Sequence, residues 1–129
     1  MEPGAVESLL MTEGIEKIVA FSGGSNSGEE RAERIIHESL EILKGYPIAI
    51  LTGGTKWGVP KYASNLAKSC GLLTVGVFPE RGRKHALENL DYEIEVASRF
   101  GESQWGDETE IYAKLVDGVI MIEGGMGTA

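Results

Sequence analysis

Three short runs of this sequence end alike. AFSGG (20–24), AILTGG (49–54) and MIEGG (121–125) each carry an apolar stretch into a pair of glycines. Glycine adopts positive φ without strain and lets another group come close to the backbone. Where such a turn leads into a helix, free N–H groups and the helix dipole make a place for an anion. The chemistry to expect at Gly23, Gly24, Gly53, Gly54, Gly124 and Gly125 is therefore the cradling of a phosphate-like group by main chain.

Two familiar phosphate motifs do not fit. Gly23 and Gly28 have Walker A spacing, but Glu29 and Glu30 stand where that loop needs a lysine and a hydroxyl residue. GGSNSG does not match G-x-G-x-x-G, so a conventional dinucleotide fingerprint is also absent.

The elements that must position these turns follow from periodicity. IEKIVAF (15–21), PIAIL (47–51), LLTVGVF (72–78) and VIMI (119–122) are apolar runs of strand length, and YEIEV (92–96) alternates like an edge strand. Between the first two, Ile35, Ile36, Leu40, Ile42 and Leu43 recur at helical spacing. Glu29 and Glu30 suit the first turn of that helix, and Lys44-Gly45 its end. TKWGVPKYASNLAKSCG reads as a loop and a second helix, with Pro60 in its first turn and Gly71 at its end. A third helix is expected from about Asp107.

Strand and helix thus alternate, which implies an α/β fold, a Rossmann-like three-layer α/β/α arrangement around a parallel sheet. All 129 residues are expected to form one domain. In a parallel sheet the carboxyl ends share one edge, so the three glycine turns should converge on one crevice, where open α/β sheets bind ligands.

Composition narrows the partners. A formal net charge of −8 opposes a nucleic-acid surface. No apolar run approaches the roughly 18 residues of a membrane span, and MEPGAVESLL lacks the basic start of a signal peptide. A cytoplasmic location is the expectation. Cys70 is the only cysteine and should be a buried, unreactive thiol. His37 and His85 have no partners at metal-ligand spacing, so neither a metal nor a cofactor is expected.

FSGGSNS, LTGGTKWGVPKYASNLA, TVGVFP and DGVIMIEGGMGT together resemble the SLOG superfamily of Rossmann-like proteins. That group includes the LOG-type phosphoribohydrolases, long labelled lysine decarboxylases, and nucleotide-sensing domains. The likeness runs in order from residue 17 to residue 129. It implies a nucleotide or phosphoribosyl ligand. It places Gly23, Gly24, Ser25 and Asn26 in a first binding loop, and Gly53, Gly54, Thr55 and Gly58 in a second. Gly124, Gly125, Gly127 and Thr128 match its phosphate loop. It also implies a homo-oligomer. Two departures stand out. The LOG enzymes read P-G-G-x-G-T-x-x-E, whereas here Glu123 replaces the proline and the sequence given stops at Ala129. Near Glu108 those enzymes carry an arginine. Because Thr128 is a good N-cap, the chain is expected to continue into a helix.

Other residues carry two readings each. Arg81, Arg83, Lys84 and His85 follow the third strand and could contact phosphate, or could be a solvated loop. Asp107, Glu108 and Glu110 suit a first helical turn. Glu108 and Glu123 are also the candidate carboxylates for reading a hydroxyl or for acid/base catalysis. Trp57 and Trp105 could stack on a base or cover the core. The leading expectation is a nucleotide-binding sensor or carrier. The alternatives are a LOG-like hydrolase of nucleoside monophosphates and an interaction module with an empty crevice.

Overall fold

The computed structural model describes residues 1–23, 30–98 and 101–122. The chain opens with helix α1 (Pro3–Thr12), followed by β1 (Lys17–Gly23), α2 (Glu30–Leu43), β2 (Ile48–Thr52), α3 (Gly58–Ser69) and β3 (Leu73–Pro79). A 3₁₀ turn (Glu80–His85), β4 (Tyr92–Val96), α4 (Thr109–Leu115) and β5 (Gly118–Ile122) complete it. The strands form one sheet in the order β4-β3-β2-β1-β5. All four pairings are parallel. This is the three-layer α/β/α, Rossmann-like architecture that the alternation of elements predicts.

Both faces of the sheet are covered, which is why its inner strands read as nearly unbroken apolar runs. On one face Val6 and Leu10 of α1 and Leu115 of α4 pack on Ile18, Ala20, Ala49, Leu51, Val75 and Ile94. On the other, Ala32, Ile36 and Leu40 of α2 and Val59, Ala63 and Ala67 of α3 pack on Phe21, Ile48, Ile50 and Ile122. From β1 to β4 the strands step in one direction, and then the chain returns past β1 to lay down β5. Crossovers of constant hand put the helix of a reversed step on the opposite face. α4 accordingly lies across the sheet from α2 and α3.

The structure adjusts several expectations. α1 was not foreseen: its apolar residues are scattered around the helix, and only Val6 and Leu10, one turn apart, are buried. Within α2, Ile36, Leu40 and part of Leu43 face the core, whereas Ile35 and Ile42 are exposed. Each residue advances about 100° around a helix, so both lie off the Ile36–Leu40 stripe. α4 starts at Thr109 rather than Asp107, because Asp107 and Glu108 satisfy the turn before it. Their carboxylates accept the Gln104 and Gly106 N–H groups at 2.9 and 2.7 Å. Cys70 is half-buried at the end of α3, not buried. His37 is exposed. Among the described residues no helix is long and apolar enough to cross a membrane.

One device pins both edge strands. Asp91, just before β4, accepts the Thr74 N–H at 2.8 Å and its hydroxyl at 3.0 Å. Asp117, just before β5, accepts the Ile18 N–H at 2.8 Å and returns its own N–H to the Ile18 carbonyl at 2.8 Å. Each carboxylate thus ties the start of an edge strand to its inner neighbour. Burial alone would raise the Asp91 carboxyl pKa, but the bonds from Thr74 and the Lys68 ammonium outweigh it and hold it below the usual range. A carboxyl depressed in the folded state adds stability that is complete above its unfolded pKa and fades as the pH falls through the folded one. Replacing Asp91 by Asn should cost about 1–3 kcal/mol at pH 7. Urea unfolding at stepped pH should show that deficit shrinking below roughly pH 3.9.

Candidate functional site

β1 and β2 end side by side, and the order of strand addition reverses across β1, with β5 on its other side. Open α/β sheets bind ligands beside such a reversal, at the carboxyl ends of the strands. A crevice of about 510 Å³ lies there. Ser22 and Gly23 come to it from the end of β1, and Gly53 from the end of β2. Pro60, in the first turn of α3, closes one side. Glu108, Thr109 and Tyr112 close the opposite side, and Val119 and Met121 of β5 form an apolar shoulder. That shoulder is open, with Val119 48% and Met121 60% exposed.

The glycines at this edge are present for different reasons. At Gly23 a Cβ would lie 2.8 Å from Val59 Cγ2 and 3.0 Å from the Ile122 carbonyl oxygen, so packing of α3 and β5 demands glycine. Gly54 has φ +72°, and a Cβ there would meet the Phe78 ring at 3.0 Å and the Gly76 Cα at 3.3 Å. Its N–H donates to the buried Thr52 hydroxyl at 3.0 Å, which in turn pairs with Ser64 at 3.0 Å. Fold geometry thus accounts for both. Gly53 differs: its φ is not positive, and a Cβ would find only Pro60 Cγ at 3.9 Å. Neither backbone strain nor packing calls for glycine there, and the open space beside it is the crevice.

The rest of the second loop turns away. The Thr55 hydroxyl donates to the Trp57 carbonyl at 3.3 Å, and Thr55 pairs with Ala86 in an isolated bridge. The Lys56 N–H donates to the His85 carbonyl and the Leu87 N–H to that of Gly54, at 2.8 and 2.7 Å. Gly58 opens α3 at φ +66° and borders a groove of about 530 Å³ between α2 and α3, with Trp57 and Tyr62. Of the second-loop candidates, Gly53 therefore lines the crevice and Gly58 a neighbouring groove.

The basic cluster occupies a third place. Arg81, Arg83 and Lys84 line a hollow of about 500 Å³ shared with Glu80, Glu102 and Ser103. Arg83 is engaged: its guanidinium donates to Glu95 at 2.6 Å and Glu93 at 2.9 Å and lies over the Phe78 ring. The Glu95 hydrogen bond, reinforced by Glu93, raises its pKa further. Arg81 donates through its side chain to Gln104 at 3.4 Å. His85 sits between two tryptophans, its ring 4.8 Å from Trp57 and 6.5 Å from Trp105. The Trp105 ring also lies where a Cβ at Gly82 would go, 3.0 Å away. Both tryptophans are thus tied to the 3₁₀ turn. Gly24, Ser25, Asn26, Glu123, Gly124, Gly125, Gly127 and Thr128 lie outside the described residues.

Sequence reasoning passed over Tyr112. It follows Glu108 by four residues, one helical turn, and that spacing was the available signal. Burial pushes its hydroxyl pKa up to about 12, and the Glu108 charge adds to the effect. The phenol is therefore a neutral donor throughout the physiological range. Thr109, Pro60, Val119 and Met121 were not singled out either.

The comparisons with known proteins bear on the family and the fold. A model of the SLOG cluster4 family matches residues 16–129, leaving α1 outside the match. Among curated proteins the sequence finds no significant match. Similar solved structures include the molybdenum cofactor carrier protein of Chlamydomonas reinhardtii, with TM-score 0.67 and 24% identity over 88% of this chain and 66% of that one. The molybdenum cofactor binding protein of the phototrophic bacterium Rippkaea orientalis is similar with TM-score 0.67 and 23% identity, over 88% and 66% of the two chains. These likenesses show a shared fold. The chain spans just under two thirds of the length of those two structures.

The division among the glycines is measurable. Gly23→Ala should destabilise by about 1–3 kcal/mol, because Val59 and the β5 backbone must shift. Gly53→Ala should be neutral or stabilising by up to about 1 kcal/mol, since it removes only unfolded-state freedom. Denaturant unfolding of the two variants side by side checks this. Equal losses would mean that Gly53 is also a packing glycine.

Proposed function

Because the chain belongs to the SLOG cluster4 family, we propose that it binds a phosphorylated small molecule, of nucleotide or phosphoribosyl type, in the crevice above β1 and β2. It does so as a sensor or carrier. The observation that carries this reading is Gly53, a glycine that the fold does not require, at the wall of a crevice beside the strand reversal. The missing side chain at Gly53 leaves room for a phosphate to approach main chain. α3 begins beside Gly53 with no side-chain cap and no acidic residue in its first turn, so the positive end of its dipole is uncompensated locally. Backbone recognition of this kind is compatible with a chain of charge −8.

A carrier role is supported by the fold shared with two proteins named for holding a molybdenum cofactor. Hydrolysis of a nucleoside monophosphate has less behind it. Where the resemblance to LOG enzymes implies an arginine, this chain has Glu108, which forms part of the crevice wall.

Thermal and denaturant unfolding with AMP, GMP and ADP-ribose tests the reading, with adenosine and guanosine as phosphate-free controls. A nucleotide at about 100 times its Kd should add roughly 2.7 kcal/mol of stability. Gly53→Val should abolish that gain while Gly53→Ala reports whether the fold tolerates a side chain there. Stabilisation by nucleosides equal to that by nucleotides would remove the phosphate site, and no stabilisation by any would remove the crevice reading altogether.

A further inference from the structure

The wall of the crevice opposite the glycines has a different chemistry. Glu108 and Tyr112 both reach it, one turn apart, with the Tyr112 N–H donating to the Glu108 carbonyl at 2.9 Å. One Glu108 carboxylate oxygen accepts the Gly106 N–H at 2.7 Å, which fixes the orientation of the group. Its second oxygen has no partner among the described residues, and neither has the Tyr112 hydroxyl. Neighbouring Asp107 does not compete, because its carboxylate is turned to the Gln104 N–H.

A carboxylate only accepts hydrogen bonds, and a neutral phenol is the donor beside it. The complementary ligand edge offers adjacent N–H donors next to a carbonyl oxygen. Guanine presents this edge through N1–H, the 2-amino group and O6. Adenine presents an unprotonated N1, whose lone pair would face the carboxylate. Hypoxanthine keeps N1–H and O6 but lacks the amino group. A phosphate held at the glycine wall would leave the base to reach across towards α4.

We propose that Glu108 and Tyr112 are the specificity-determining residues of the crevice and that they select a guanine-type ring. The proposal rests on the phosphate-binding reading above and adds the identity of the ring. A site built to hydrogen-bond a ligand group rejects analogues lacking it, because its own polar groups are then left unpaired.

Isothermal titration of the full chain with GMP, IMP and AMP tests it at one ionic strength. The expected order is GMP tighter than IMP and IMP tighter than AMP, with GMP and AMP separated by roughly ten- to hundred-fold. E108Q should weaken GMP by about ten-fold or more and collapse the GMP-to-IMP ratio, because the amide loses the negative charge and, with its oxygen held by the Gly106 N–H, turns a donor NH2 towards the ring's N–H groups. Y112F should weaken GMP and IMP together and leave their ratio intact. Unfolding of each variant without ligand separates lost recognition from a lost fold, and the base series on the unaltered chain depends on no variant. Equal binding of the three, or a preference for AMP, would overturn the assignment and leave the phosphate crevice standing. Binding of none would overturn both.

Discussion

The central strand β1 pairs in parallel with β2 on one side and with β5 on the other. Much else follows from that. A parallel neighbour cannot be reached by a tight turn, so each connection must cross a face of the sheet. Both faces are then covered, which is why Ala20, Phe21, Ala49, Ile50 and Leu51 are completely buried. β5 is laid down after the strand order has reversed, and the crevice lies at the carboxyl ends of the strands beside that reversal. The edge strands are held to this plan by Asp91 and Asp117, each hydrogen-bonded to the backbone of the strand inside it.

The crevice inherits opposite characters from its two sides. The strand-end wall is main chain and small residues, because Gly23 must admit Val59 and the β5 backbone. The α4 wall is acidic and phenolic: the turn before the helix orients the Glu108 carboxylate, and the helix itself places Tyr112. Such a pair of walls favours a ligand with a charged end and a hydrogen-bonding end. The basic residues nearby do not join the crevice. Arg83 spans Glu93 and Glu95, clasping the 3₁₀ turn to β4.

The strand-to-helix alternation and the parallel sheet, with its carboxyl ends on one edge, were legible in the sequence. Each depends on local pattern: apolar runs of strand length, one-sided helical spacing, and glycines where the chain must turn. YEIEV was legible as an edge strand for the same reason, since only one of its faces needed to be apolar. α1 was not, because two anchoring residues make too weak a pattern. The exposure of Ile35 and Ile42 was also out of reach, since which stripe of a helix is buried depends on the surface it meets.

The sequence by itself therefore determined the order and type of the core elements and the side of the sheet on which ligand chemistry should be sought. Only the tertiary structure decided which glycine serves which purpose. Gly23, Gly53 and Gly54 look alike in sequence, yet one is filled by a neighbouring helix, one by a ring beneath it, and one by nothing. It also decided that Tyr112 belongs to the crevice while Thr55 and Arg83 do not. These are matters of where distant segments come to lie, and periodicity carries no information about contacts between residues far apart in the chain.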